Sequence, residues 1–362
     1  MLITTLVFLA VIGLLVFVHE LGHFLAAKRA GVLVEEFAFG FRPRLLAKKI
    51  GETTYAINLI PLGGYVKLYG EKAEETGDRA FTHKSIAQRL MIMIAGSTMN
   101  LLLGWLVLTV LFIAGFQPIF PGVSDNPLVK GGKVIAISRI NPNSPAEAAG
   151  LAAGDKISAV DGQALSTESF IKYVNERRGQ SVKLTVETNG QIREVNVTPR
   201  DNPPAGEGVL GVALVSGNKV QTSVLAAPVA AAYETGRLIG VSAKGFALFV
   251  RDLVVTQKVS EDVTGLIGVG ALTGVARRLG IEYLAQLVVM ISIGLGVLNL
   301  MPILPLDGGH IAALGYEKAV GRPLSERQLG ALTSIGLAFV LLIFVLVTAK
   351  DILRFRVFER LF

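Results

Sequence analysis

Residues 2–29 read LITTLVFLAVIGLLVFVHELGHFLAAKR. The run from Leu2 to Val18 carries no charge and is long enough for a helix that crosses a lipid bilayer. It has no basic leader and no small-residue cleavage site, so we expect a retained helix and not a signal peptide. The same helix continues into HELGH at residues 19–23. Ionisable residues inside a membrane helix are costly and usually functional. We therefore expect this helix both to span the membrane and to carry functional side chains.

The HELGH motif has the spacing of a metal site. On a helix, His19 and His23 lie about one turn apart, so both imidazoles project from one face, and Glu20 can reach a water held by the same ion. The alternative is a pair of histidines that cap or snorkel at a helix end. A catalytic zinc usually has three protein ligands and one open position. The chain contains no cysteine, so the third ligand must be His, Asp or Glu.

Asp307 is the clearest candidate for that third ligand. It lies in LDGGH at residues 306–310, directly after a third apolar stretch. A turn or helix-capping role for Asp307 remains open, and His310 is expected to be a neighbour and not a ligand. Pro302 and Pro305 must break the preceding helix at membrane depth, where freed backbone is tolerated only if it lines a cavity or is buried in protein.

Composition supports a membrane protein. The chain of 362 residues is 51% hydrophobic and 17% charged, whereas soluble domains carry about 25% charged residues. Its net charge of +7 is explained by basic cytoplasmic loops, so we expect the lipid bilayer as a partner and no nucleic acid.

The boundaries that we predict are a first span with HELGH (1–27), a cytoplasmic loop with a re-entrant β-hairpin (28–89), a second span (90–116), an α/β domain (117–217), an amphipathic interfacial region (218–280), a third span (281–306), a cytoplasmic loop with the metal-ligand aspartate (307–328), a fourth span (329–349) and a basic tail (350–362).

Loop charges predict the orientation. Eleven Lys and Arg residues lie between Lys28 and Arg89, which places the first loop in the cytoplasm and the N-terminus outside. The α/β domain then lies outside, and the metal motifs lie toward the cytoplasmic side. The basic C-terminal tail would end outside, against the same rule. A fifth span within residues 222–255 would reverse the sidedness of everything after it.

Two regions between the spans carry β patterns. The strand-like runs 53–60 and 65–69 flank Pro61-Leu-Gly-Gly64, which predicts a hairpin with its turn at 61–64. Residues 122–216 alternate strand and helix signals: strands at 133–140 and 156–160, helices at 143–151 and 166–178, and a hairpin at 182–198 around Asn189-Gly190.

These motifs together resemble the site-2 protease family of intramembrane zinc metalloproteases. The resemblance lies in HELGH at 19–23, in Asn299, Pro302 and LDG at 306–308, and in PLGGYVKL at 61–68, which resembles the re-entrant β element of the family. Residues 143–162 resemble a bacterial PDZ domain, with Gly131-Gly132 as a weak candidate for its carboxylate loop. Where family members often read AGPxxN, this chain has AGSTMN at 95–100, and a tandem PDZ pair is absent.

The resemblance implies a polytopic α-helical membrane protein with four transmembrane helices, a membrane-associated β-hairpin and one external PDZ-like domain. It implies Zn²⁺ held by His19, His23 and Asp307, with Glu20 as the catalytic base. Asn299, Pro302, Gly63 and Gly64 would bind substrate. The substrates would be single-span membrane proteins already trimmed outside, such as anti-sigma factors or remnant signal peptides, in a bacterial inner membrane. The PDZ-like domain would gate access or dock a peptide ligand.

Two other classes of protein share some of these features. A metal transporter would use intramembrane histidines and carboxylates as a transit site, but it has little use for Glu20 and usually shows internal repeats, which are absent here. A membrane scaffold that displays a PDZ-like module would need no zinc.

Overall fold

A computed structural model describes residues 2–71, 77–120, 122–131, 135–188, 190–204, 207–216, 219–256 and 263–354. The chain divides into two compact units. The helical unit comprises residues 1–105 and 235–362, and the α/β unit comprises residues 106–234.

Long helices dominate the helical unit, and two of them continue into the α/β unit. The longer helices are α1 (Leu2–Arg29), α2 (Ile86–Ala114), α5 (Ala227–Val255), α6 (Leu266–Leu279), α7 (Ile281–Asn299), α8 (Asp307–Val320) and α9 (Glu326–Arg354). Among the described residues, four helices are long and apolar enough to cross a membrane: α1, α2, α7 and α9. They correspond to the four predicted spans.

The regions around the third span differ in detail from the prediction. Helix α7 ends at Asn299 and not at residue 306, because Pro302 and Pro305 lack the backbone N–H that a continuing helix needs. The predicted loop at 307–328 is largely helix α8. The predicted interfacial region (218–280) contains all of α5 and α6, and neither of them is among the four apolar helices. Its interfacial position stays a prediction, and tail residues 355–362 lie outside the described part.

Buried contacts join the helices of this unit. Val11 and Leu15 of α1 pack with Val288 of α7 in one apolar cluster. Near the end of α9, the fully buried Asp351 accepts hydrogen bonds through Oδ2 from the backbone N–H groups of Gly265 (3.0 Å) and Gly268 (2.8 Å). A carboxylate at the first turn of a helix satisfies donors that have no partner within the helix, so Asp351 fixes the start of α6 against α9.

The first loop forms a sheet that the sequence pattern did not predict correctly. Its strands are β1 (Val34–Ile50) and β2 (Thr53–Leu68), with the tight turn at residues 51–52. Residues 44–50 pair antiparallel with 53–58, residues 34–39 pair antiparallel with 64–68, and residues 36–39 align in the same direction with 54–57. The chain does reverse near 61–64, but the runs on either side do not pair with each other, because residues 34–39 lie between them. The predicted hairpin is therefore wrong in its pairing.

The strands of the α/β unit are β3 (Lys130–Gly131), β4 (Ile135–Ile140), β5 (Lys156–Val160), β6 (Val182–Thr188), β7 (Gln191–Val197), β8 (Val212–Ser216) and β9 (Val220–Gln221). Five of them form an antiparallel sheet in the order β7-β6-β5-β4-β8. Helices α3 (Pro145–Ala148) and α4 (Thr167–Asn175) begin after Ser144 and Ser166, whose side chains cap the first turns. Most predicted elements are present. Residues 132–134 and 189, which include part of the proposed carboxylate loop, lie outside the described part.

Paired cysteines test the revised sheet in the cysteine-free chain. Ala47 and Ala56 are direct partners, and the Cα atoms of such partners lie about 4.5–5.5 Å apart. We expect Ala47→Cys/Ala56→Cys to form a disulfide on mild oxidation, detected as a mobility shift. A hairpin with its turn at 61–64 would instead pair Leu59 with Val66. Efficient cross-linking of Leu59→Cys/Val66→Cys, with none in the first pair, would contradict the sheet order.

Candidate metal centre

Three potential ligand side chains converge in the helical unit. His19 and His23 come from the C-terminal part of α1, and Asp307 is the first residue of α8. The Nε2 atoms of the two imidazoles lie 3.1 Å apart. Oδ2 of Asp307 lies 3.3 Å from Nε2 of His19 and 3.4 Å from Nε2 of His23. Bonds of about 2.0–2.1 Å to a tetrahedral ion would separate its ligands by about 3.3 Å, so the spacing suits one zinc ion.

The hydrogen bonds of these groups also suit a cation. Nδ1 of His23 lies 2.8 Å from the carbonyl oxygen of Ile92, and a carbonyl can only accept, so Nδ1 carries a proton and Nε2 of the neutral ring presents a lone pair. Oδ2 of Asp307 is buried and has no hydrogen-bond partner among the described residues. Lone pairs that face each other at these distances repel unless a positive ion lies between them. The donor set therefore fits a metal ion.

Helix α2 forms the wall behind the two imidazoles. A Cβ added to Gly96 would lie 2.3 Å from Nε2 of His23 and 2.7 Å from Cε1 of His19. Real Cβ contacts are essentially never under 3.0 Å, so only glycine fits at this helical position. Asn100, one turn further along α2, brings Nδ2 within 3.4 Å of Nδ1 of His19.

Residues 300–306, which connect α7 to α8 and are here called the broken segment, position Asp307. The chain leaves the helix at Asn299 and returns to helix at Asp307. A Cβ on Gly308 would lie 2.3 Å from backbone atoms of Leu300 and Met301, and one on Gly309 would lie 2.4 Å from the backbone of Leu304. The two glycines therefore let the first turn of α8 pack directly on the broken segment. An acidic residue in that first turn also interacts favourably with the helix dipole.

Glu20 and the glycine pair of β2 lie next to each other. A Cβ on Gly64 would lie 3.0 Å from Cγ of Glu20 and 2.9 Å from the carbonyl oxygen of Ala38. The backbone at Gly64 thus approaches the carboxylate side chain closely. Gly63 has φ of +143°, and a Cβ there would collide with the ring of Phe41 at 2.2 Å. The structure brings Gly64 to the site and places Gly63 against that ring.

The remaining predicted residues occupy different places. Nδ2 of Asn299 lies 3.5 Å from Nδ1 of His19, so Asn299 borders the site. Pro302 lines a separate cavity of about 600 Å³ between the broken segment, α8 and α9. His310 lies one turn after Asp307 and is not part of the convergent ligand group. Burial lowers the pKa of His310, because it disfavours the charged form of the imidazole.

Sequence reasoning missed Gly96 and Asn100 as site residues. AGSTMN at 95–100 attracted notice only because it departs from a family pattern. A glycine and an asparagine four residues apart on an apolar helix were the available signal, since that spacing places both on one face.

Comparison with known proteins places the chain in a family. The model of Peptidase family M50 matches residues 7–343. Zinc metalloprotease RasP of Shouchella clausii is 31% identical and covers 96% of this chain and 98% of its own length. Zinc metalloprotease RasP of Geobacillus kaustophilus is 28% identical, with 96% and 97% covered. The PDZ domain of an SdrC-like protein from Listeria monocytogenes is 25% identical, covers 22% of this chain and 86% of its own, and has a TM-score of 0.21.

The paired histidines and the adjacent glutamate on the apolar helix α1 define a metallopeptidase. The chain belongs to peptidase family M50, the site-2 protease family, and is a metalloendopeptidase.

Substitution of Gly96 tests the wall of the site. We expect Gly96→Ala to lower zinc content and peptidase activity at least tenfold, because the new methyl group would displace both imidazoles. Zinc content is measured by metal analysis of the purified variant. Gly294→Ala is the matched control, since it also lies in an apolar helix and a Cβ there meets nothing within 4 Å. Normal zinc in Gly96→Ala would contradict the packing described for α2.

Proposed function

We propose that this chain is a zinc-dependent intramembrane protease that cuts single-span membrane proteins within their transmembrane segments, after another protease has trimmed them outside. Anti-sigma factors and remnant signal peptides are the substrates that its family resemblance favours. The observation that carries the proposal is the convergence of His19, His23 and Asp307 on one buried point, at the end of a helix apolar enough to span a membrane.

The chemistry divides between the ion and Glu20. His19, His23 and Asp307 would hold a zinc ion, which would supply Lewis-acid activation of a water and of the scissile carbonyl. Glu20 follows His19 directly on α1, and its carboxylate accepts the proton of the attacking water and then delivers it to the leaving amine.

An extended substrate segment could reach Glu20 along the edge of the sheet. A helical substrate shields its own carbonyls, so the segment to be cut must unwind. In the described part of the chain, residues 64–68 pair with 34–39 on one side, and no further described strand joins them. Strand addition at such an edge would bring the substrate backbone past Gly64 and Glu20. Asn299 and Pro302 are proposed to contact the unwound segment, and Gly63 to shape the edge.

The orientation follows from the eleven basic residues of the first loop. The first loop and the metal site lie toward the cytoplasm of a bacterial inner membrane, and the N-terminus and the α/β unit lie outside. The α/β unit contains none of the four histidines of the chain. It offers no histidine ligand for the ion, so we assign it a role in selecting substrates and not in the chemistry, with a peptide ligand as its partner.

Glu20→Gln separates proton transfer from metal binding. We expect the variant to retain zinc and to lose about 10²–10⁴-fold in the rate of cleavage of a model single-span substrate, since only general-base catalysis is removed. Zinc analysis and a cleavage gel measure the two effects. A scaffold would contain no zinc in the parent protein, and a transporter would move it across the membrane. Near-normal cutting by Glu20→Gln would exclude its role as the base.

Single cysteines test the orientation in the cysteine-free chain. Asp78 and Lys172 are both exposed. In intact cells, an impermeant maleimide should label Lys172→Cys and leave Asp78→Cys unlabelled, while both react after the membrane is disrupted. The reverse pattern would overturn the proposed sidedness.

Replacing residues 122–216 by a flexible linker tests the role of the α/β unit. If the unit excludes untrimmed substrates, trimmed substrate should still be cut and full-length substrate should now be cut as well. If it docks the new C-terminus of a trimmed substrate, cleavage of that substrate should fall instead. If the deletion variant folds and binds zinc but does not cleave the full-length substrate, the α/β unit does not act by excluding untrimmed substrates.

A further inference from the structure

His19 has an unusual neighbourhood on the side away from the metal centre. Two carboxamides point at its Nδ1 atom: Nδ2 of Asn100 at 3.4 Å and Nδ2 of Asn299 at 3.5 Å. Nε2 of the same ring faces His23 and Asp307. If Nε2 holds the ion, the proton of a neutral imidazole resides on Nδ1, and this N–H needs an acceptor.

The acceptor can be identified from hydrogen-bond requirements. An amide NH₂ group only donates, whereas the oxygen of the same amide accepts. Oδ1 of Asn100 is buried without a hydrogen-bond partner among the described residues. A half-turn of the carboxamide exchanges its oxygen and nitrogen, and it would place that orphaned oxygen on Nδ1 of His19.

Burial distinguishes Asn100 from Asn299. Asn100 is fully buried, and its backbone carbonyl accepts a hydrogen bond of 2.7 Å from Oγ of the buried Ser292. This bond ties α2 to α7 at the level of the site. Asn299 is the last residue of α7, is only partly buried and borders the broken segment. A rigid residue suits the support of a metal ligand, while a partly exposed one is available to substrate.

We propose that Asn100 is a positioning residue for His19, with its carboxamide oxygen accepting the proton on Nδ1. Helix α2 then supports both imidazoles, because the carbonyl of Ile92 accepts from His23 in the same way. The proposal rests on the metal-ligand role of His19 in the proposed function. Partners of this kind fix the tautomer and the ring orientation, and their loss typically weakens metal binding about 10–100-fold.

The test measures zinc affinity of the purified full chain by competition with a chelator, independently of activity. Asn100→Leu keeps the size of the side chain but lacks an acceptor, so we expect zinc binding to weaken 10–100-fold. Asn100→Asp retains an acceptor oxygen, so we expect affinity within about threefold of the parent or tighter. The Co²⁺-substituted proteins should agree, with an altered visible spectrum only in the leucine variant.

Two matched variants control for position. Thr98 lies on the same helix, and its exposed hydroxyl donates a hydrogen bond to the backbone carbonyl of Ile94, so Thr98→Val should leave zinc affinity unchanged. Asn299→Leu should raise KM for a model substrate while zinc affinity stays near the parent value. The opposite result, with weak zinc in Asn299→Leu and normal zinc in Asn100→Leu, would assign the acceptor to Asn299 and overturn the proposal.

The outcomes also separate this proposal from the proposed function. A parent protein that binds no zinc would refute the metal centre itself. A parent that binds zinc as tightly as Asn100→Leu would refute only the role of Asn100. If the leucine variant does not fold, the aspartate variant decides, because a loss of zinc affinity beyond tenfold in folded Asn100→Asp would contradict an acceptor at this position.

Discussion

Two imidazoles and a carboxylate share one small buried volume, and the neighbouring helices and strands of the helical unit pack around this cluster. The Nε2 atoms of His19 and His23 face each other, and the orphaned oxygen of Asp307 faces both. Burying such groups without compensation costs several kcal/mol. A cation turns the same arrangement into a favourable one, so the packing of the neighbouring helices is best understood as the support of a metal ion.

Each neighbouring element meets this requirement in its own way. Helix α1 supplies the histidines on one face, and α2 approaches them closely at Gly96. The prolines end α7, and Gly308 and Gly309 let α8 begin against the broken backbone, which brings Asp307 to the histidines. The sheet reaches the same point from the other side through Gly64, whose backbone approaches Glu20. Small residues therefore occur where backbone must come near the reactive groups.

The sequence revealed those features that depend on local spacing. The i, i+4 histidines, the apolar runs and the two prolines each follow from the geometry of one helix. The sheet order could not be predicted, because residues 34–39 insert between two runs that are closer to each other along the chain. Gly96 and Asn100 were missed for a related reason: apolar residues occur on all sides of α2, so its hydrophobic pattern does not show which face meets α1, and the spacing of this glycine and asparagine was the available signal.

Zinc K-edge X-ray absorption of the purified protein tests the central claim most directly, because it counts the ligands of the ion. We expect two imidazole nitrogens and two oxygens, one from Asp307 and one from water, at about 2.0–2.1 Å. Three imidazoles around the ion would contradict it, because the third would have to be His310 or His83 in place of Asp307.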